Sequence, residues 1–251
     1  MERRELLDGI LSRSHASESL VTEEVSRKDA VHSYFQNKGI DFRKAETKMH
    51  DTIIHVFTTY QGKITKSADQ YKFPENFFEM SRLDFVFDEG LNVYLMEANL
   101  SPMLANDHHK QHIALYERLV YSLLSLNGLS TPSVLNKLNA SESMETHNVD
   151  VHVYPQECQS PKCSMRCEDL TCKFCKSCLN TKQDQQLKHA FNEHVNRRGF
   201  RRIFPQTFSS QYQAEKWNYT GDKDFLSLTQ DNQWMTMWFR GKCLQDTTWC
   251  S

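Results

Sequence analysis

The sequence is poor in the residues that interrupt regular structure, with eight glycines and six prolines among 251 positions. That scarcity excludes a collagenous chain and a chain made mostly of flexible linker. Mean hydropathy is −0.65, and nowhere is there the run of roughly eighteen apolar residues that a membrane-spanning helix needs. No membrane span is expected. Neither charge sign is in excess: thirty Lys and Arg stand against thirty-two Asp and Glu, a formal net charge of −2. A generally basic nucleic-acid binder is therefore excluded, although a local basic patch is not. The opening residues, Met1-Glu2-Arg3-Arg4-Glu5, lack the apolar core of a secretion signal. Cysteine is absent before Cys158.

What is present suits a folded protein. Hydrophobic residues make up 39% of the chain, enough to fill the core of one large domain or two modest ones. All eight cysteines crowd into the C-terminal part, at Cys158, Cys163, Cys167, Cys172, Cys175, Cys178, Cys243 and Cys250. An even count suits disulfides in a secreted protein, and Asn139-Ala140-Ser141 and Asn218-Tyr219-Thr220 fit the glycosylation pattern. With fourteen asparagines, about two such matches arise by chance, so the redox compartment stays open. The Cys158–Cys178 cluster is denser and less regular than the paired knuckles of a zinc site. Structural Zn²⁺ and disulfides, the latter with Cys243 and Cys250 as further partners, stand as alternatives, with free thiols as a third.

Along the chain, residues 1–40 read as helical and charged, with a short stripe of Leu6, Leu7, Ile10 and Leu11. Ala45, Met49, Ile53, Val56, Phe57 and Tyr60 recur at threes and fours, which predicts an amphipathic helix over 43–60 with one buried face. Two aromatic and β-branched runs, 83–87 and 93–97, flank a Gly90-containing turn and predict a hairpin. A helix is expected from about Asp107 to Leu126, capped by Asn106 or Asp107 and stopped at Asn127-Gly128. Polar residues from 129 to about 150 suggest a linker. The resulting division is 1–128, a linker at 129–150, and a Cys-rich module at 151–251.

The hairpin carries the chemistry. If Asp88 faces Val93, cross-strand partners have numbers summing to 181, so Asp84 faces Glu97 and both share a face with Asn99. A slip of one residue would send Asp84 to the other side. Two opposed carboxylates repel unless a cation sits between them, and Mg²⁺ favours oxygen ligands of this kind, completed by phosphates and water. The plainer alternative is an acidic hairpin end held apart by water.

The stretch Phe77-Phe78-Glu79-Met80-Ser81-Arg82-Leu83-Asp84-Phe85-Val86-Phe87-Asp88, followed by Tyr94-Leu95-Met96-Glu97-Ala98-Asn99-Leu100-Ser101-Pro102, resembles the tubulin–tyrosine ligase-like family. The resemblance runs over about 43–128 and is most specific at 97–102, with Ala98 in place of the usual Val. It implies an α+β fold, the C-terminal portion of an ATP-grasp-like domain: an antiparallel sheet flanked by helices, here followed by a Cys-rich module. It further implies ATP and Mg²⁺ as cofactors, with Asp84, Glu97 and Asn99 holding the metal against the nucleotide phosphates. The implied reaction ligates an amino acid, glutamate in most branches, to a protein carboxylate through an acyl phosphate. The implied partner is the acidic tails of tubulin, in the cytoplasm at the cytoskeleton. A secretory compartment stays open on the cysteines. The family's nucleotide-binding lysines and an Arg-bearing strand lie well upstream of this segment, while fewer than ninety residues precede Asp84. The chain is therefore expected to lack the nucleotide-binding part. The alternative is a non-catalytic module that binds tubulin or another partner.

Three further features carry weaker expectations. Arg197-Arg198-Gly199-Phe200-Arg201-Arg202 suggests a basic patch for acidic tails, against a plain solvated face. His108, His109 and His112 read as a partly exposed first helical turn in preference to a metal site. Trp217, Trp234, Trp238 and Trp249 are expected to pack a core.

Overall fold

The computed structural model describes residues 27–72, 77–104, 110–128, 150–165 and 167–250. The stripe at Leu6–Leu11, the linker residues 129–149 and the candidate caps Asn106 and Asp107 lie outside them. The fold is α+β: among the described residues a two-stranded antiparallel sheet accompanies nine α-helices. Two compact units result. One gathers the described residues up to Thr52 together with Leu83–Asn99; the other gathers Ile53–Arg82 and the described residues from Leu100 onward.

In the first unit, helix α1 (Arg27–Gln36) ends where Gly39 takes a left-handed φ of 71° and its amide bonds back to Gln36. Glycine adopts that conformation without steric penalty, which suits a helix stop. Helix α2 (Arg43–Ala68) then begins, with the Asp41 carboxylate accepting from the Arg43 amide at 3.2 Å. Phe35 stacks on Phe42 at 4.6 Å, and Phe42 meets Phe87 edge-on at 5.6 Å. These rings tie α1 and the start of α2 to strand β1 (Ser81–Phe87). Strand β2 is Val93–Leu100. The turn between the strands is held by Asp88, whose Oδ1 accepts from the amides of Gly90 and Asn92 at 2.9 and 2.8 Å. Its Oδ2 accepts from Asn92 Nδ2 at 2.8 Å and from the Tyr94 hydroxyl at 3.2 Å. The left-handed position is Leu91, φ 56°, and not Gly90, because Asp88 fixes the turn by side-chain bonds that Asp is suited to make.

The second unit is built around the C-terminal helix. Helices α3 (Lys110–Leu126) and α6 (Thr181–Asn196) pack together. Gly128, φ 71°, closes α3 as the sequence predicts, and Asn180 with Gln183 forms a capping box at the start of α6. Between them lie the short helices α4 (Pro155–Cys158) and α5 (Pro161–Met165) and a single 3₁₀ turn at Cys172–Phe174. Helices α7 (Gln211–Lys216) and α8 (Lys223–Ser227) lead into α9 (Gln230–Gln245). Trp234, Met237, Trp238 and Phe239 of α9 are buried with Phe174, Leu187, Phe208, Phe225 and Trp249. Trp238 is fully buried, and its Nε1 donates to the Val151 carbonyl at 2.7 Å. The expectation that the tryptophans pack a core holds, with Trp217 half-buried at its edge.

The expected buried face of α2 is only partly realised. Ala45 is buried, but Phe57 and Tyr60 are 37% and 48% exposed. The polar Gln61 is buried instead: its Oε1 accepts from the Thr229 amide and from Asn232 Nδ2, and its Nε2 donates to the Ser227 carbonyl. A buried amide with both ends bonded carries little penalty. Apolar periodicity has no means of marking such a residue.

Candidate metal-holding site

Asp84 lies on β1; Glu97 and Asn99 lie on β2, two residues apart and so on one face. At the far end of the hairpin the Ser101 amide donates to the Met80 carbonyl at 3.1 Å, a pair whose numbers sum to 181 as expected. At the turn the Asp88 amide donates to the Asn92 carbonyl at 3.2 Å, so Asp88 faces Asn92 and not the expected Val93. Asp84 lies beside Asn99 and Glu97 at that far end, as the bonds of the Asn99 amide show. Asn99 Nδ2 donates to Glu97 Oε1 at 2.9 Å and, at the long limit, to Asp84 Oδ2 at 3.4 Å. Asp84 and Asn99 are half-buried and Glu97 is exposed.

That geometry tests whether a cation fits. Both carboxylates converge on one hydrogen-bearing nitrogen, which supplies weakly the positive charge that a metal would supply strongly. Rotating the Asn99 amide by half a turn would present Oδ1 beside them. The set is then two carboxylate donors and one amide oxygen, all hard ligands suited to Mg²⁺ and too few for a closed, all-protein cage. Phosphate oxygens and water would complete it. The residues present fit the metal.

Asp88 was not singled out by the sequence as more than a turn residue, yet its side chain holds the turn that joins the two strands of the site. Its carboxyl is held below the usual range, first by the Asn92 side chain and then by the Asn92 amide. Lys48 of α2 adds a brace, with Nζ donating to the Leu91 carbonyl at 3.3 Å and to Asn92 Oδ1 at 3.2 Å. An Asp followed by Gly and Asn was the available signal, because Asp readily bonds amides two and four residues on.

The other candidates fare differently. All eight cysteines form disulfides: Cys158–Cys175, Cys163–Cys172, Cys167–Cys178 and Cys243–Cys250. The zinc alternative is corrected accordingly. A tetrahedral site needs four thiolates turned to one point, whereas each sulfur here is bonded to a single partner, with Cα atoms 4.8 to 5.5 Å apart. No group of three or more His, Cys, Asp or Glu able to hold a metal occurs among the described residues. In the arginine run Arg198 and Arg201 are exposed while Arg197 and Arg202 are half-buried. Arg197 bonds the His194 carbonyl, and Arg198 reaches Tyr121 and Ser125 at 3.2 Å. Arg202 bonds the carbonyls of Pro205 and Gln206 and lies 3.5 Å over the Phe239 ring. Burial pushes its pKa down to about 9. Arg197, Arg198 and Arg202 thus have partners within the fold. His108 and His109, and the side chain of His112, lie outside the described residues. No described helix is long and apolar enough to cross a membrane.

Comparison with known proteins gives consistent results. A model of the tubulin-tyrosine ligase family matches residues 12–138. A probable tubulin polyglutamylase of Caenorhabditis elegans, ttll-15, is 34% identical over 235 residues, covering 91% of this chain and 43% of that protein. The tubulin polyglutamylase ttll-5 of the same organism is 25% identical over 83% of this chain and 32% of its own length. The human tubulin monoglutamylase TTLL4 is 24% identical over 73% of this chain and 16% of its own. The chain thus spans less than half the length of these curated relatives. No solved structure matches it.

Proposed function

The chain belongs to the tubulin–tyrosine ligase family, and from that premise we propose that it carries the metal-holding face of an ATP- and Mg²⁺-dependent ligase that adds glutamate to acidic protein tails. The observation that carries this reading is the convergence of Asp84 and Glu97 on the Asn99 amide. Glutamate is preferred because the relatives are named glutamylases, and for the same reason tubulin is the first acceptor to try. Ligation is assigned to a fuller form of this chain, with residues 1–128 as the C-terminal part of an ATP-grasp-like domain. Residues 129–150 would link that part to a Cys-rich module at 151–251. A hydrophobic core drawn only from residues 151–250 supports the last division.

In this reading Asp84 and Glu97 supply the negative charge that holds the cation, and Asn99 adds a neutral oxygen that orients it. When bound, Mg²⁺ would offset the phosphate charge and line up attack on the γ-phosphorus. Asp88 and Lys48 hold the turn that joins the two strands. The acceptor carboxylate would displace ADP to give an acyl phosphate, and the glutamate amine would then displace phosphate with loss of a proton.

The test is incorporation of labelled glutamate into tubulin by the full-length protein. Asp84→Ala, Glu97→Gln and Asn99→Ala should each lower it, on the order of 100-fold or more for the carboxylates, since even outer-shell changes cost about 10- to 100-fold. Unchanged incorporation in Glu97→Gln would remove the metal assignment. Absence of incorporation by the unaltered protein, with retained tubulin binding, would favour a non-catalytic partner-binding module.

A further inference from the structure

Two features of the region after residue 150 take no part in the ligase face: its disulfides and its exposed Asn218. Three of the bridges interleave within 158–178, where Cys158–Cys175 encloses Cys163–Cys172 and Cys167–Cys178 crosses both. Cys163, Cys172 and Cys175 are buried against one another, with Cys158 and Cys178 packed beside them. Few backbone elements hold this stretch: two helices of four and five residues and one 3₁₀ turn. Apart from Phe174, which joins the main core, the buried described residues of this stretch are cysteines, so sulfur bridges hold most of it, as in small domains that fold in oxidising compartments. Reducing compartments keep such thiols unpaired. Forming the four bridges removes eight protons and eight electrons, which pass by exchange to a disulfide-bearing oxidant.

Oxidising compartments of eukaryotic cells are also where Asn-x-Ser/Thr accepts sugar. The pattern occurs at Asn99-Leu100-Ser101, Asn139-Ala140-Ser141 and Asn218-Tyr219-Thr220. Asn139 lies outside the described residues. Asn99 is half-buried, with Nδ2 bonded to Glu97 and Asp84. Asn218 has different surroundings. It is exposed, in a tight turn between α7 and α8 that the Gly221 amide closes on the Asn218 carbonyl at 3.2 Å. Its neighbours Trp217 and Tyr219 pack on Phe225 and hold the turn in place. The Thr220 hydroxyl donates to Asn218 Oδ1 at 2.7 Å, which occupies the amide's acceptor end and leaves Nδ2 as the other. A Cβ at position 221 would stand 3.2 Å from Nδ2; glycine there leaves room for a substituent.

We infer that Asn218 is an N-glycosylation site and that the chain matures in an oxidising, glycosylating compartment. The donor is an oligosaccharide carried on a lipid pyrophosphate. A bond forms from Asn218 Nδ2 to the anomeric carbon, the bond from that carbon to the pyrophosphate breaks, the lipid pyrophosphate leaves, and Nδ2 gives up one proton. Transfer takes place on the unfolded or folding chain, and the folded structure then has to accommodate the sugar, as the open turn does. The inference stands apart from the ligase reading and alters it at one point: the acidic acceptor must share the compartment.

The natural full-length protein, captured from its own cells after lysis in a thiol-alkylating agent, is digested with trypsin before and after peptide N-glycosidase treatment in heavy-oxygen water. The peptide Trp217–Lys223, bounded by Lys216 and Lys223, should appear only after treatment, with Asp bearing heavy oxygen at position 218. The cysteines should resist alkylation until reduced, and Asn99 should be recovered unmodified. In a glycosylating host, Asn218→Gln and Thr220→Ala should abolish this glycan, whereas Thr220→Ser should keep it. Recovery of Trp217–Lys223 wholly as unmodified Asn218 before treatment would overturn the inference, and so would cysteines that alkylate without reduction. Neither readout involves ATP or ligation, so failure here leaves the ligase reading standing, and the reverse holds as well.

Discussion

His194 stacks face to face on Trp249, with ring centroids 3.8 Å apart. Burial first, then Arg197 and Arg202, push its pKa from 6.5 down to about 4. The folded protein therefore holds His194 neutral over a range in which the unfolded chain binds a proton. Stability from this residue is fully present above about 6.5 and is lost as pH falls through the window down to about 4. Glu193, whose carboxyl burial pushes up, works in the opposite sense, so the comparison must be made against a variant. His194→Phe keeps the stack and should flatten the decline of the denaturant midpoint between these pH values; an unchanged slope would mean that the ring titrates freely. None of this was legible in the sequence, because the cause is burial. The proposed metal-holding residues are the converse case. Glu97 and Asn99 share a face by strand alternation, which is readable from residue numbers. Asp84 joins them at the Met80–Ser101 end, where the pairing is the one expected, although the turn pairs Asp88 with Asn92 instead of Val93.

At the scale of elements, legibility followed periodicity. The hairpin, α2 and the glycine stop of α3 show local signals in the sequence and appear in the structure. Helix α9 gave none, because it is buried on several sides at once: Trp234, Thr236, Met237, Trp238, Phe239, Gly241, Lys242 and Cys243 are all buried. A helix enclosed in this way has no polar stripe to set its period. Even its lysine is accommodated, with Nζ bonded to the Asp150 carbonyl at 2.7 Å and the rings of Trp238, Trp249 and Phe191 within 6 Å. Gly241 is where α9 meets the chain most closely, since a Cβ there would fall 2.5 Å from Val153 Cβ and 2.9 Å from both its γ carbons. Gly241→Ala should destabilise by about 1–3 kcal/mol or more in chemical denaturation. Adding Val153→Ala should recover part of that loss, because the two sites share the contact. A neutral single substitution would show that α9 can move away from Val153.

For the whole molecule, the cysteines decide how the C-terminal part is held. Bridges that close loops of this size contribute on the order of 2–3 kcal/mol each by restricting the unfolded chain. Reduction should therefore lower the thermal midpoint of the region beyond residue 150 by on the order of 10 °C or more, read by near-ultraviolet dichroism from its buried tryptophans. Retention of the full signal under reductant would mean that the apolar core suffices alone. The arginine run belongs to the same scale. Arg197, Arg198 and Arg202 bond carbonyls, hydroxyls and an aromatic face within the fold, while Arg198 and Arg201 also stay exposed.

By itself, then, the sequence determined what neighbouring residues can settle: the helix stops, the hairpin, and the face on which Asp84, Glu97 and Asn99 meet. Strand alternation, turn chemistry and helical period act over a few residues, so they can be read from the order of residues alone. The pairing of the cysteines, the internal use of the arginines, the burial of Gln61 and the exposure of Asn218 were decided only by the tertiary structure. Each depends on which distant segments come into contact, as in the bond from Gln61 to Thr229 or from Trp238 to Val151. Eight cysteines allow about a hundred pairings, and only the folded chain brings one set of sulfurs within bonding distance.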